Sequence, residues 1–313
     1  MMKNKMQVSC KNFMNEQIII SSAEEGKRID VVCAQRFPDF SRTKWAAFGK
    51  FLLDKKEKAG KTKVQVSEAW HISYEGEMAS SFLRDIEAWD LDLPILAESE
   101  SWVVINKPEG VSVHPSQTEH TSHTIINALV HHFGTNLSEN TSDIGGQKIS
   151  RPGLVHRLDK GTSGVLLVAK TNATHRYFQE HWKEVEKTYY ALVQGVPPVR
   201  GRVESGIERD TQNRQKMTVG DSDHAKDATT LFERVRTNSG FSLLKITIPT
   251  GRTHQIRVHL SEIGFPIVGD GKYGGSKSDR IMLHAAELSF PDPDKKGKQR
   301  KVSSPVPGDF ISW

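Results

Sequence analysis

Apolar residues recur at helical spacing in two stretches near the N-terminus, so residues 26–53 read as two short helices. In "GKRIDVVCAQRFPDF" the stripe is Ile29, Val32, Cys33 and Phe37. In "SRTKWAAFGKFLLDKK" Ser41 reads as an N-cap, and Trp45, Phe48, Phe51 and Leu52 form the stripe. Arg42, Lys44 and Lys50 then lie off that stripe, available to phosphates. "VQVSEAWHISYEG" alternates as a strand does.

A boundary falls near 85–93, where "DIEAWDLDLP" is acidic and ends in Pro94. Beyond it "WVVIN", "VLLVAKT", "KTYYALVQG" and "IMLHAAELSF" predict strands. "TTLFERVRT" and "FSLLKITIPT" predict a hairpin across "NSG". Three helices are predicted between them. "TIINALVHHFG" closes at Gly134, "NATHRYFQEHWKEV" is capped by Asn172, and "THQIRVHLSEIG" carries Ile256, Leu260 and Ile263 on one face. "TNLSENTSDIGGQK" has no period and reads as a mobile loop. Strands outnumber helices and often follow one another directly. That predicts an α+β fold with a largely antiparallel mixed sheet and flanking helices, not a doubly wound parallel sheet.

Charge placement adds a division of labour. From Lys27 to Lys63 eleven Lys/Arg face four Asp/Glu, an excess of +7. From Val64 to Ser101 one Arg faces nine acids, −8. This fits a basic module that meets polyanions followed by an acidic connector, and equally two ordinary charged faces. Two cysteines, Cys10 and Cys33, make neither a disulfide framework nor a cysteine zinc site, so a reducing cytoplasm is expected. No apolar run is long enough to span a bilayer, and the N-terminal apolar patch lacks the features of a signal peptide.

The chemistry concentrates in "GLVHRLDKGTSG", residues 153–164. Asp159 stands among His156, Arg157 and Lys160 at the mouth of an apolar strand. Alone it reads as a turn residue or as an ionised carboxylate serving as nucleophile or base. Thr162 and Ser163 are placed to hold the loop through side-chain-to-backbone hydrogen bonds. The histidines do not form a metal motif: His254 and His259 are five apart, not four. Neither a serine nucleophile elbow nor a dinucleotide or P-loop glycine motif is present.

Four ordered segments carry a resemblance: "VINKPEGVSVHP" (104–115), "RPGLVHRLDKGTSGVLLVAKT" (151–171), "EKTYYALVQG" (186–195) and "GRTHQIRVHLSEIGFPIVGDGKYGG" (251–275), with "LHAAELSF" (283–290) as a fifth. The set closely resembles the RluA-type family of RNA pseudouridine synthases over about residues 86–313. Residues 26–53 resemble an S4 RNA-binding motif, although "DKKEKAGKTKVQV" departs from the usual stretch there, so 13–85 is expected to be an S4-like RNA-binding domain. The resemblance implies a pseudouridine synthase fold in 86–313 preceded by a small S4-like α/β module. It implies an isomerase that detaches uracil from ribose, rotates it and rejoins it through carbon, with no cofactor and no metal. Asp159 would be the nucleophile, attacking base or sugar or first assisting removal of a sugar proton. Tyr189 would lie against the target ring, Arg257 would pair with Asp159, and Leu283 would form a pocket wall. Arg157 would fill the place of the flipped base, and Lys107 and Pro108 would support the loop. Arg209 and Arg214 in "RDTQNRQKM" would grip RNA, or merely form a charged hairpin tip. Many relatives carry Asp where this chain has Gly161.

The expected partner is RNA, large-subunit ribosomal RNA ahead of transfer RNA, met by a monomer away from membranes. An RNA-binding ribosome-assembly factor with secondary activity is the competing reading.

Overall fold

The computed structural model describes residues 11–37, 42, 45–46, 49–77, 86–115, 123–134, 136–139, 141–144 and 147–312. Lys44 and Ser41 lie outside them.

The N-terminal sheet has four antiparallel strands, β1 (Lys11–Ile19), β2 (Gly49–Leu53), β3 (Lys56–Lys58) and β4 (Ala69–Glu77), in the order β1-β4-β2-β3. Helix α1 (Ile29–Arg36) buries Ile29, Val32 and Cys33 against Trp45, Phe51, Trp70 and Ile72. The second predicted helix is corrected here. Residues 42, 45 and 46 are helical, but Phe51 and Leu52 belong to β2. Asp54 and Lys55 both have positive φ, 51° and 63°, and form the two-residue turn that folds β3 onto β2. Lys50 is therefore exposed on a strand, not on a helix.

The large sheet is built from β5 (Ile95–Glu98), β6 (Trp102–Lys107), β9 (Ser163–Ala169), β10 (Glu186–Gln194), β11 (Arg200–Arg209), β12 (Met217–Val219), β13 (Lys226–Asn238), β14 (Phe241–Thr247), β15 (Leu283–Pro291) and β16 (Gln299–Ser303). A separate hairpin pairs β7 (Thr141–Ile144) with β8 (Gln147–Ser150). The predicted loop there is thus partly strand. The large sheet runs β12-β11-β13-β14-β10-β15-β9-β6-β5, with β16 also on β15. Among the described strands only β9 and β15 pair in parallel. The α+β expectation holds at this level.

Three helices flank the sheet: α2 (Ile125–Phe133), α3 (Asn172–His181) and α4 (Gln255–Glu262). Strands β6 and β9 are buried on both faces, as their near-continuous apolar runs require. Val103, Ile105, Leu166 and Val168 join Ile126, Leu129, Ile256 and Leu260 in one core. The alternate residues Trp102, Val104, Val165 and Leu167 pack with Phe178 of α3. The cap of α3 is Thr171, whose Oγ1 accepts from Thr174 N–H at 3.1 Å. Asn172 instead accepts from Glu139 N–H at 2.7 Å. The predicted hairpin after β13 turns at Ser239 and Gly240, with φ 48° and 81°.

The parallel junction positions the carboxylate loop. It is two residue pairs long, Ser163 beside His284 and Gly164 beside Ala285. Gly164 has φ +111°, and a Cβ there would sit 2.1 Å from the Ala285 carbonyl oxygen. Backbone meets backbone at this point, so no side-chain adjustment relieves the clash. Gly164→Ala is expected to destabilise the protein by roughly 3 kcal/mol or more, read as a lower urea midpoint at unchanged slope. An unshifted midpoint would remove the steric argument.

Candidate active site

Asp159 opens a tight turn in which Thr162 N–H donates to its carbonyl at 3.0 Å, and β9 begins at the residue after Thr162. Lys107, fully buried at the end of β6, donates to the carbonyls of Pro108 (2.7 Å) and Lys160 (3.2 Å). Burial pulls its pKa down to about 7, against the charges of Asp159 and Glu109. Ser163 also ties the loop down, through side chains and not the backbone. Its Oγ lies 2.9 Å from His284 Nδ1 and accepts from Arg280 Nη2 at 2.5 Å.

Helix α4 brings the cation. Gln255, its first residue, donates to Thr229 O at 2.8 Å and accepts from Arg252 N–H at 3.0 Å. The first of these bonds pins the helix start to β13, and the second ties it to the loop before it. Two residues on, Arg257 Nη1 donates to Asp159 Oδ2 at 3.0 Å. Its Nε and Nη2 hold both oxygens of Asp270, at 2.6 and 2.9 Å. Arg257 is 6% exposed and Asp270 1%. Burial alone would lower the arginine pKa; hydrogen bonding to Asp270 and the charges of Asp159 and Asp270 outweigh it and raise it instead. The guanidinium also lies over the Tyr273 ring, 5.0 Å from its centre.

Tyr189 on β10 and Leu283 on β15 line the same cavity as Asp159 and Arg257, with Leu158, Ile248 and Ile256 as further apolar wall. Tyr189 is 9% exposed, and burial, reinforced by the Asp159 charge, raises its phenol pKa. The ladder between β10 and β15 shifts by one residue beside Tyr189, a bulge of the kind that re-aims side chains. Arg157 is exposed and lines both this cavity and a second one that shares Asp159, His254 and Arg257 with it and is lined also by Lys160, Gly161, Lys272 and Arg280. Among the described residues Arg157 has no ion-pair or hydrogen-bond partner.

The structure therefore brings together Asp159, Tyr189, Arg257, Leu283 and Arg157. It does not place Arg42, Lys50, Arg209 or Arg214 in either cavity. Arg209 ends β11 and Arg214 sits on the compact tip that follows, where Arg209 Nη1 donates to the Arg214 carbonyl and Asp210 Oδ1 accepts from the N–H groups of Gln212 and Asn213. Gly161 packs against Ile281: a Cβ there would lie 2.8 Å from Ile281 Cδ1, so a larger residue needs that side chain to move. No cluster of three His, Cys, Asp or Glu able to hold a metal occurs among the described residues.

Sequence reasoning missed Asp270 and Tyr273. Both stand in the quoted "GDGKYGG", where a lone acid and a lone aromatic among glycines were the available signal. It also gave the histidines no specific partners. His254 Nε2 lies 3.8 Å from Asp159 Oδ2, and its Nδ1 lies 2.7 Å from the Tyr273 hydroxyl.

Breaking a buried ion pair by removing one partner costs about 3–5 kcal/mol. Asp270→Asn should lower the urea midpoint accordingly and reduce turnover, because Arg257 then depends on Asp159 alone. Full activity in this variant would show that Asp270 does not set the cation. A second expectation concerns pH. Burial lowers the pKa of His114, His254 and His284 from 6.5 to about 4, and of His156 to about 3. The fold holds these rings neutral, whereas the unfolded chain binds protons below 6.5. Their stabilisation is complete above that value and is lost as pH falls towards 4. At about pH 5 each contributes a loss on the order of 2 kcal/mol, measurable as a fall in urea midpoint from its value at about pH 7.5.

Residues 101–262 match the family model described as RNA pseudouridylate synthase. Ribosomal large subunit pseudouridine synthase D of Zymomonas mobilis subsp. mobilis is 39% identical over 239 residues, 72% of each chain. The protein of that name in Pseudomonas aeruginosa is 34% identical over 91% of this chain and 90% of its own. An uncharacterized RNA pseudouridine synthase of Bacillus subtilis, YlyB, is 36% identical over 94% of this chain and 96% of its own. Among solved structures, human RNA Pseudouridylate Synthase Domain Containing 1 superposes with a TM-score of 0.54 at 27% identity, over 68% of this chain and 83% of that one. The cavity around Asp159 thus lies in a chain that belongs to the RNA pseudouridine synthases.

Proposed function

We propose that this enzyme isomerises uridines of large-subunit ribosomal RNA with the Asp159 carboxylate as nucleophile. The observation that carries the assignment is the pairing of Asp159 with a buried, permanently charged Arg257 inside a cavity walled by Tyr189 and Leu283. The ribosomal target is supported by the names of relatives 39% and 34% identical to this chain.

The roles follow from the chemistry. The bond from ribose to ring nitrogen breaks, a bond from ribose to ring carbon forms, and one proton moves from that carbon to the nitrogen, so mass is unchanged. Arg257 Nη1 donates to the Asp159 carboxylate at 3.0 Å and orients it for attack. Both side-chain contacts of Asp159 fall on Oδ2, which leaves Oδ1 to attack. The detached base is retained by Leu158, Ile248, Ile256 and Leu283 and packs on the Tyr189 ring. With its pKa raised by burial and the Asp159 charge, Tyr189 keeps its proton at neutral pH and offers the base a hydrogen-bonding hydroxyl. The target must leave its stack, and Arg157, planar, exposed and unpaired among the described residues, is the group to take its place.

Residues 13–85 form the RNA-binding attachment in this reading, S4-like in type, with 86–313 as the catalytic domain. Arg42 and Lys50 are exposed for phosphate contact, as are Arg209 and Arg214 on the hairpin tip. Lys44, expected to share that role, lies outside the described residues.

Asp159→Asn should abolish pseudouridine formation while RNA affinity stays nearly intact; product from this variant would mean that another group attacks. Pseudouridine mapping in total RNA with and without the gene should show loss at large-subunit ribosomal sites. Loss confined to transfer RNA would overturn the target. Replacing Arg42 and Lys50 by Gln should flatten the dependence of log affinity on log salt by about one unit for each phosphate no longer neutralised.

A further inference from the structure

We propose that His254 is a positioning residue for Asp159, held as the tautomer with its proton on Nε2 by a hydrogen bond from Tyr273. The proposal rests on Asp159 being the nucleophile.

The tautomer follows from counting protons. The Tyr273 hydroxyl oxygen accepts from the Met217 N–H at 2.9 Å and lies 2.7 Å from His254 Nδ1. Burial raises the Tyr273 pKa, so the phenol keeps its proton and must direct it somewhere. Among the described residues its acceptor is His254 Nδ1. A ring nitrogen that accepts carries no proton, so in a neutral ring the proton is on Nε2. The other edge agrees, since Nε2 faces Asp159 Oδ2 at 3.8 Å and a carboxylate favours an N–H directed at it. Burial keeps the ring neutral, lowering its pKa to about 4; Asp159 and Asp270 act against this, and Arg257 and Lys272 with it.

The backbone is committed to the same end. His254 has φ 55° and ψ 16°, in the left-handed region, immediately before α4 begins. A bulky ring at such a position is strained, and such strain persists where surrounding contacts over-determine it. The contact available here is the bond to Tyr273. At 3.8 Å the Nε2–H is outside hydrogen-bond range of the carboxylate. Such bonds in free enzymes are commonly long and tighten when substrate fills the site. Arg257 and His254 then both hold Oδ2 and fix the direction of Oδ1. Because Met217 begins β12 at the base of the Arg209/Arg214 tip, and Lys272 Nζ also donates to Gln215 O at 3.1 Å, the hairpin that faces solvent sets the tautomer beside the nucleophile.

The test uses the full-length enzyme with 15N-labelled histidine. A long-range 1H–15N correlation spectrum, with His254 assigned through His254→Gln, should show its proton on Nε2 alone. Tyr273→Phe removes the donor. The ring should then populate both tautomers, and kcat should fall roughly tenfold with KM changed by less than about twofold. His254→Gln, whose amide can both donate and accept, should retain at least about tenfold more kcat than His254→Leu. A proton on Nδ1, a wild-type kcat in Tyr273→Phe, a kcat loss there with the tautomer unchanged, or equal activity of the Gln and Leu variants would each overturn the proposal. An inactive Asp159→Asn enzyme beside a fully active Tyr273→Phe enzyme removes the positioning role alone. An active Asp159→Asn enzyme removes the nucleophile assignment and this proposal with it.

Discussion

One buried cation organises this site. A guanidinium 6% exposed to solvent cannot be left unpaired, because removing a charge from water costs several kcal/mol unless another charge and full hydrogen bonding compensate. Arg257 meets that requirement with a division between two carboxylates. Asp270, itself buried, takes the bidentate pair through Nε and Nη2, while Asp159 takes only Nη1. Asp270 thus keeps the cation in place whether or not Asp159 is engaged elsewhere. Asp159, held by one bond on one oxygen, keeps the other oxygen available.

The surrounding structure serves to make that geometry unique. Asp159 stands at the start of a turn fixed by its own backbone, by Lys107 beneath it and by the parallel contact of β9 with β15. Arg257 stands on a helix whose first residue, Gln255, is bonded to β13. Carboxylate and guanidinium, far apart in the chain, therefore arrive on elements with little freedom to shift. An electrostatic arrangement that needs no reorganisation at the moment of reaction is worth more than the same charges on mobile loops.

What could be read in the sequence divides along the same line. Elements whose pattern reflects local physics were legible: α4 with its stripe of Ile256 and Leu260, continued by Ile263 at its C-cap, the turn at Ser239-Gly240, and the doubly buried strands β6 and β9. Residues 41–52 mislead because Trp45, Phe48, Phe51 and Leu52 fit a helical period. The deciding feature is a turn at Asp54-Lys55 that lacks the glycine usually signalling one. The cap at Thr171 falls one residue before the predicted one, because Thr and Asn are both good caps and spacing alone does not choose. At the site, Asp159 and Arg257 stand in long motifs, and the structure brings them within 3.0 Å. Asp270 and Tyr273 do not stand out, since their importance is a matter of three-dimensional neighbours that no local period encodes.

The contrast between Arg257 and Arg157 shows what the site leaves unfinished. Arg257 has every polar nitrogen committed to a carboxylate, and its position is fixed before RNA arrives. Arg157, two residues before Asp159, is exposed at the junction of two cavities, with no partner among the described residues. A guanidinium in that condition gives up no intramolecular bond when it stacks on a base or binds a phosphate, so its interaction with RNA is not offset by a loss within the protein. The same short segment thus separates two demands that conflict in a single residue. The carboxylate is held by a buried cation, whereas the nearby guanidinium is left exposed and without a partner among the described residues.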